Sequence, residues 1–219
     1  MGIVSRGIKA GHLLVKTYNP RDFCADKYRK VDDSPYGGGA GMVLKPEPFF
    51  AAFDSVERAA GSPVMLATPQ GRPFKQSRAD ELAAVSDITL ICGHYEGFDE
   101  RIRTVASEEF SVGDYVLTGG ELASLIVIDA VGRLVPGVVG KSISLAHESF
   151  VDGLLECPHY TKPPLFRGME VPEILRSGNH AAIEKWRRQE SLRRTKLRRP
   201  DLIESADLSE QDRRFLDSV

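Results

Sequence analysis

Three glycine-containing loops hold the residues whose types and spacing best suit ligand binding. They are Pro69-Gln70-Gly71, Gly93-His94-Tyr95-Glu96-Gly97 and residues 113–120. Such loops let a ligand approach the backbone closely, so that main-chain groups can hydrogen-bond an adenine edge and ribose hydroxyls. Glu96 and Asp114 add carboxylates that accept from a ribose or offset a positive charge. Ordinary turns with surface carboxylates have the same composition, so spacing alone leaves both interpretations open.

Each of these loops follows a short apolar run. Residues 64–68 and 88–92 predict strands, because aliphatic residues fill runs bounded by Pro, Gly or Asp. Residues 75–86 between them have helical apolar spacing, and a strand–helix–strand unit normally means parallel strands. The third loop follows Phe110-Ser111-Val112. Because ligands of open α/β sheets bind outside the carboxyl ends of the strands, the sequence predicts a ligand crevice at these loops.

The chain beyond the loops divides into a helix, a linker and a helical tail. Residues 121–134 predict a helix that is apolar nearly all round, which is typical of burial in a core or at a subunit interface. Residues 137–164 lack strong periodicity, which favours an interdomain linker. The remainder after Val171-Pro172 is predicted to be helical, with Asn179 as the N-cap of a helix over 181–197.

The basic residues are concentrated in one segment. Residues 185–199 contain eight Lys or Arg residues and one Glu, in a chain with 29 basic and 31 acidic residues and a net charge of −2. The rest of the chain therefore has 21 basic and 30 acidic residues, a net charge of −9. A basic segment on an acidic body indicates a polyanionic partner, although a solvated helix face without a partner has the same composition.

The composition favours a globular protein in a reducing compartment. No stretch reaches the ~18 consecutive apolar residues of a membrane span. The three cysteines, Cys24, Cys92 and Cys157, form no Cys-x-x-Cys pair. This spacing favours reduced thiols and a cytoplasmic location over a disulfide framework or a zinc site.

A series of short motifs extends over essentially the whole chain. The N-terminal ones are Asn19-Pro20-Arg21-Asp22-Phe23, Val31-Asp32-Asp33, Pro35-Tyr36-Gly37-Gly38-Gly39, Gly41-Met42 and Pro69-Gln70-Gly71. The central ones are Cys92-Gly93-His94-Tyr95-Glu96-Gly97, Asp99-Glu100-Arg101, Gly113-Asp114-Tyr115-Val116-Leu117, Gly119-Gly120-Glu121-Leu122 and Pro136-Gly137-Val138. The C-terminal ones are Cys157-Pro158-His159-Tyr160-Thr161, Val171-Pro172, Ser177-Gly178-Asn179-His180 and Arg198-Arg199-Pro200. In this order the motifs resemble those of the bacterial tRNA (guanine-N1)-methyltransferases.

The resemblance implies the fold, the reaction and the partners. The fold is α/β of the SPOUT type, a parallel sheet with a C-terminal trefoil knot, followed by a small all-helical domain. The expected domains are an S-adenosylmethionine-binding domain over 1–140, a linker over 141–164 and a helical tRNA-binding domain over 165–219. The expected enzyme methylates N1 of the guanosine 3′-adjacent to the anticodon, tRNA position 37, as a homodimer whose active site is shared between subunits. Mg²⁺ is expected to be needed for transfer, without a ligand cluster that marks its site.

The resemblance also implies the site residues. Those that fall on the cofactor pocket are Leu66, Thr68, Pro69, Gln70, Gly93, Tyr95, Glu96, Gly97, Ser111, Val112, Gly113, Asp114, Tyr115, Val116, Leu117, Gly119 and Gly120. Arg133 falls on the catalytic arginine and is expected to stabilise charge on guanine O6. Glu148 falls on the general base, which in the family is an Asp followed by Ser-Phe. The exchange keeps a carboxylate but moves it by about one methylene, so Asp152 stays a second candidate.

A second departure from the family and two rival functions remain. Family members usually begin with a strand and a helix carrying Leu-Phe-Pro, about twenty residues ahead of the position that matches Gly2. This sequence lacks them, which indicates a start assigned too far downstream or a truncated chain, since a missing strand leaves an unpaired edge. The rivals are a SPOUT methyltransferase acting on rRNA or another tRNA base, and an RNA-binding protein without catalysis.

Overall fold

The computed structural model describes residues 2–139 and 148–219. The chain divides into two compact units, Met1–Gly140 and Lys141–Val219. Residues 141–147 of the predicted linker lie outside the described residues. None of the described helices combines the length and apolar character needed to cross a bilayer.

The first unit contains four α-helices and five strands. They are α1 (Ile3–Lys9), β1 (Asp32–Asp33), β2 (Val43–Leu44), α2 (Pro46–Asp54), β3 (Val64–Pro73), α3 (Gln76–Ala83), β4 (Thr89–Ile91), β5 (Glu108–Ser111) and α4 (Glu121–Gly132). The described part of this unit also contains two 3₁₀ helices, Pro20–Phe23 and Glu100–Val105. It is therefore a mixed α/β structure.

A three-stranded parallel sheet in the order β4-β3-β5 forms the centre of this unit. The prediction of parallel strands joined through a helix is confirmed, because β3 and β4 pair in parallel with α3 between them. Successive side chains of β3 enter different cores, as the alternation of a strand requires. Met65 packs with Leu82 and Val127, and Leu66 packs with Ile102; all of these side chains are almost completely buried.

The predicted loop at Pro69-Gln70-Gly71 is a bulge within β3, which corrects the sequence prediction that the strand ends at Thr68. Ala67 and Arg72 both pair with Phe110, so the intervening residues loop out and the chain then rejoins the sheet. A side chain at Gly71 would overlap the backbone of Phe110. The bulge therefore depends on a glycine at the point where the two strands approach most closely.

Helix α4 is apolar on two faces, as its sequence predicts, and it ends at Gly132 rather than Leu134. One face, with Ala123, Val127 and Val131, is buried against the sheet. The other face leaves Leu122 and Leu125 more than half exposed, at 56% and 57%. Part of the apolar surface of this helix therefore has no cover within the described part of one chain.

The second unit is mainly helical. Its elements are a hairpin of β6 (Leu165–Phe166) and β7 (Met169–Glu170), a 3₁₀ helix (Glu173–Arg176), α5 (His180–Arg198), α6 (Pro200–Ser205) and α7 (Glu210–Asp217). The hairpin corrects the expectation of helix alone after residue 165, and nothing in the apolar pattern marks strands of two residues. The predicted N-cap is confirmed, because Asn179 Oδ1 accepts from Ala182 N at 3.1 Å.

A small core and one ion pair hold the helices of the second unit together. Leu154, Leu192 and Leu216 form its centre. Arg188 on α5 donates to both carboxylate oxygens of Asp212 on α7, at 3.2 and 3.0 Å. This bidentate contact ties α5 to α7 at a point where Asp212 is buried.

Candidate active site

The loops that follow β4 and β5 are hydrogen-bonded to each other. Gly120 N donates to Gly93 O at 2.8 Å, and His94 and Gly119 form an antiparallel bridge. A Cβ on Gly120 would lie 2.7 Å from Cys92 Cα, so only glycine allows this approach. The structure thus brings together two of the three predicted loops, at the carboxyl edge of the sheet where a ligand is expected.

The bulge of β3 reaches the same edge. In the parallel register Leu66 lies beside Ile91 and Ala67 beside Phe110, so residues 68–71 emerge next to the other two loops. Pro69 and Gln70 are exposed there, whereas Thr68 is buried, its Oγ1 accepting from Gln70 N at 3.4 Å. Leu66 is fully buried in the core, so any contact with a cofactor would come from its backbone.

The loop after β5 begins with a tight turn. Ser111 Oγ accepts from Gly113 N and donates to Gly113 O, both at 3.2 Å. Tyr115 folds back over this turn, and its hydroxyl donates to Val112 O at 3.2 Å. Asp114 is left exposed at the tip of the turn. Val116 is also exposed, while Leu117 is half-buried.

The loop after β4 is held from outside by the chain near Leu44. Glu96 N donates to Met42 O at 3.1 Å, Leu44 N donates to Gly97 O at 3.0 Å, and Asp99 N donates to Leu44 O at 2.9 Å. Gly97 has a φ of +134°, and a Cβ built on it would meet no atom within 4 Å. Its backbone is therefore open to a ligand at a place where another residue would be strained.

Cys92, at the base of this loop, is a neutral thiol. Burial raises the pKa of the Cys92 thiol, and the hydrogen-bonding contact with Ser124 Oγ at 3.1 Å only partly opposes this effect. A thiol with a raised pKa is a poor nucleophile at neutral pH. The arrangement of the loops is therefore suited to binding rather than to covalent catalysis by this residue.

Comparison with known proteins decides the family. The family model for tRNA (Guanine-1)-methyltransferase TrmD matches residues 1–205. Proteins named tRNA (guanine-N(1)-)-methyltransferase are similar over nearly all of the chain: one from Dehalococcoides mccartyi is 54% identical, covering 99% of this chain and 89% of its own length. Relatives from Synechococcus sp. and Persephonella marina are 57% and 51% identical, covering 93% and 100% of this chain and 85% and 87% of their own lengths.

The chain belongs to the tRNA (guanine-1)-methyltransferase family. Methyltransferases of this family take the methyl group from S-adenosylmethionine. The described loops fit such a ligand: they offer open backbone at Gly97, and the exposed carboxylates of Glu96 and Asp114 suit a cofactor that carries a positive sulfonium.

Helix α4 sets the position of Arg133, the expected catalytic arginine, relative to the loops of its own chain. Gly120 is the N-cap of this helix and Arg133 is its C-cap. The 12 residues between them span about 18 Å at the rise of an α-helix. Within one chain the structure therefore places the loops and Arg133 at opposite ends of α4.

The two carboxylates considered for the base lie in the second unit. Asp152 accepts from Arg188 Nη1, so it belongs to the ion-pair cluster that also holds Asp212. Glu148 lies in a turn in which its carbonyl oxygen accepts from Val151 N at 3.4 Å. Asp152 therefore has a structural role on the surface of its unit, and Glu148, which falls on the family's general base, stays the first candidate.

Each of the two units also has a cavity at its surface. An open, largely apolar cavity of about 550 Å³ lies along the exposed face of α4 and includes Tyr115 and Leu117 from the loop after β5. A smaller polar cavity of about 180 Å³ on the second unit is lined in part by His159, Tyr160 and Arg187. In residues 2–139 and 148–219, no group of three or more His, Cys, Asp or Glu side chains is arranged to hold a metal ion.

Sequence reasoning missed the side-chain contact between Arg21 and the loop after β4. Arg21 Nη2 donates to the hydroxyl of Tyr95 at 2.8 Å, across 74 positions of sequence. Arg21 lies in one of the motifs shared with the family, but that motif gives no sign of the residue it contacts.

Proposed function

We propose that this chain transfers a methyl group from S-adenosylmethionine to N1 of the guanosine 3′-adjacent to the anticodon, tRNA position 37. The observation that carries the proposal is the joining of the loops after β4 and β5, through the Gly120–Gly93 hydrogen bond, beside the β3 bulge. The names of the relatives support the tRNA substrate and the guanine N1 acceptor. The first unit, 1–140, is the cofactor-binding domain in this proposal.

We further propose that the loops form a trefoil knot around the cofactor. Three close approaches support it: Gly71 against the backbone of Phe110, Gly120 against Cys92, and the bridge between His94 and Gly119. Interlaced loops give a rigid cradle built mostly of backbone, and such preorganisation reduces the cost of ordering the protein around a ligand.

The chemistry requires a base and an electrophilic partner for the guanine. N1 of guanine carries a proton that must be removed before the nitrogen can attack a methyl carbon, and negative charge then builds on O6. Glu148 would take the N1 proton, and Arg133 would donate to O6. S-adenosylmethionine, when bound, supplies an activated methyl group, so positioning accounts for most of the remaining acceleration.

A homodimer with a shared site would bring these groups together. Arg133 lies about one helix length from the loops of its own chain, so a second chain packed against α4 could present its own Arg133 there. The exposed Leu122 and Leu125 support this interface, because monomers rarely expose a continuous apolar helix face. The open cavity along α4 includes Tyr115 and Leu117, so the same surface continues into the cofactor loop.

The second unit would bind tRNA, with residues 165–219 as the RNA-binding part. Of the eight cations in 185–199, several are held by the fold: Arg188 pairs with Asp212, Lys196 donates to the carbonyl oxygens of Leu216 and Val219, and Arg199 pairs with Asp201. Among the described residues, Lys185, Arg194 and Arg198 have no ion-pair partner. We therefore propose these three as phosphate contacts.

The experiment that tests the function measures transfer of a labelled methyl group from S-adenosylmethionine to two tRNA transcripts. The transcripts differ only by guanosine or adenosine at position 37. We expect about one methyl group per guanosine transcript, recovered as 1-methylguanosine, and none on the adenosine transcript. Equal labelling of both would overturn the proposed target, and no labelling of either would leave RNA binding as the function. A chelator added to the same reaction tests the predicted need for Mg²⁺.

A further inference from the structure

Arg21 connects the N-terminal segment to the cofactor loop. The Pro20–Phe23 3₁₀ helix is capped by Asn19, whose Oδ1 accepts from Arg21 N at 3.1 Å, and this cap holds the Arg21 backbone. One end of its guanidinium donates to Arg29 O at 3.0 Å, and the other donates to the Tyr95 hydroxyl at 2.8 Å. Arg21 is therefore bonded both to its own segment and to the loop.

Tyr95 has a backbone conformation that its residue type disfavours. Its φ is +60°, in the left-handed region that Gly and Asn adopt far more readily than an aromatic residue. Such a conformation persists only where surrounding contacts hold it. The bond from Arg21 fixes the far end of the Tyr95 side chain, and the bonds between Met42 or Leu44 and the neighbouring Glu96 and Gly97 fix the backbone that follows.

The geometry points to Arg21 as a positioning residue that holds the loop 93–97 in its ligand-ready conformation through the hydroxyl of Tyr95. This inference rests on the proposed function, because that loop is the one assigned to S-adenosylmethionine. The Tyr95 hydroxyl is committed to Arg21, so the residue would serve the cofactor through its backbone. A loop fixed in advance loses less conformational freedom when the ligand binds, and the gain appears in ligand affinity.

The test is calorimetric titration of the full chain with S-adenosylmethionine for the wild type, Arg21→Ala, Tyr95→Phe and the double variant. Each single change removes the same hydrogen bond, so each should weaken binding by about five- to tenfold. The double variant should bind the cofactor no more weakly than the weaker-binding single variant. The effects of two residues that act through one hydrogen bond are not additive. Turnover at saturating cofactor should fall much less than affinity does.

Arg29→Gln is the matched control, because the Arg29 side chain pairs with Asp22 in the same segment and the change keeps the backbone oxygen that accepts from Arg21. It should bind the cofactor within twofold of the wild type. Tyr95→Phe keeps the ring and its packing, so it carries the test if Arg21→Ala fails to fold. Wild-type affinity in Tyr95→Phe, or effects that multiply in the double variant, would overturn the inference. A wild type that does not bind S-adenosylmethionine would instead overturn the proposed function.

Discussion

At the scale of single residues, Gly71 occupies a position in the sheet that leaves no room for a side chain. It passes directly over the backbone of Phe110, where β3 leaves the sheet and rejoins it. Backbone cannot move aside as the end of a flexible side chain can. The packing of the protein itself therefore requires glycine at this position, whether or not the bulge also contacts a ligand.

Gly71→Ala should lower the free energy of unfolding by about 1 to 3 kcal/mol, since its Cβ would overpack against Phe110. Gly2→Ala is the control, because a Cβ at that position would meet no atom within 4 Å. Urea denaturation followed by circular dichroism measures both. Equal stability of the two variants would show that the bulge is not tightly packed against β5.

Asp212 should make the second unit sensitive to acid. The hydrogen bonds from Arg188, and then those from Ser209, hold the pKa of the Asp212 carboxyl below its ordinary value. A lowered pKa in the folded state gives stability that is present above the unfolded value of about 3.9 and is lost as the pH falls through the folded value. Asp212→Asn should therefore cost about 1 to 2 kcal/mol at pH 7.

The difference in unfolding free energy between wild type and Asp212→Asn should shrink below about pH 4, as the wild-type carboxylate is protonated. Urea denaturation at several pH values measures it. A difference that stays constant from about pH 7 to about pH 3 would mean that the charge of Asp212 contributes nothing and that only its shape matters.

The sequence predicted residues whose partners are close in the chain and missed those whose partners are distant. The cap at Asn179 was predictable because its partner, Ala182, is three residues away. The contact of Arg21 with Tyr95 spans 74 positions, and no local pattern encodes it. The role of Arg188 in pairing with Asp212 was likewise hidden inside a run of basic residues that suggested RNA contacts throughout.

At the scale of secondary structure elements, α5 combines two functions that its sequence does not separate. Its buried side, with Leu192 and Thr195, and the Arg188–Asp212 pair hold the second unit together. Among the described residues, Lys185, Arg194 and Arg198 have no ion-pair partner, so they can contact solvent or a binding partner. The sequence predicted the helix and its N-cap. It did not show that Arg188 is held in an ion pair, because its partner Asp212 lies on α7.

Arg194→Gln and Arg198→Gln should each reduce the slope of log affinity for tRNA against log salt by about 0.7 to 0.9, the contribution of one phosphate contact. Arg214→Gln is the control, because Arg214 is an exposed cation paired with Glu210 on α7. Fluorescence anisotropy with a labelled transcript at several salt concentrations measures the slopes. Unchanged slopes in both α5 variants would remove this helix from the RNA interface.

The exposed face of α4 makes a prediction about assembly. Leu125→Asp places a charge in the centre of the proposed dimer interface and should convert the protein to monomers that lack methyl transfer. Val85→Asp, at an exposed apolar residue that follows α3 and does not belong to α4, should leave the mass unchanged. Sedimentation velocity measures both. A Leu125→Asp protein that keeps the wild-type mass would contradict the interface.

At the scale of the whole molecule, the sequence predicted a parallel α/β sheet and the family, but the way the loops come together needed the structure. The order β4-β3-β5 and the bulge at residues 68–71 depend on contacts between distant strands. The separation of Arg133 from Gly120, by contrast, follows from the length of the helix predicted over 121–134. Because Arg133 lies at the far end of α4 from the loops of its own chain, the central claim is that the active site is shared between two chains.

Mixing two inactive proteins tests that claim most directly. Arg133→Ala removes the proposed O6 donor. Gly119→Val fills the cofactor loop where the fold can adjust, since the closest atom to the new Cβ is the flexible end of Glu121. Each variant alone should lack methyl transfer to tRNA while keeping the wild-type circular dichroism spectrum.

If one subunit supplies the loops and the other supplies Arg133, half of the dimers formed after co-denaturation and refolding of an equal mixture combine the two variants. Each such dimer has one intact site, so the mixture should recover about one quarter of wild-type methyl transfer, by the statistics of a symmetric dimer. A mixture as inactive as its components would contradict a site assembled from two subunits.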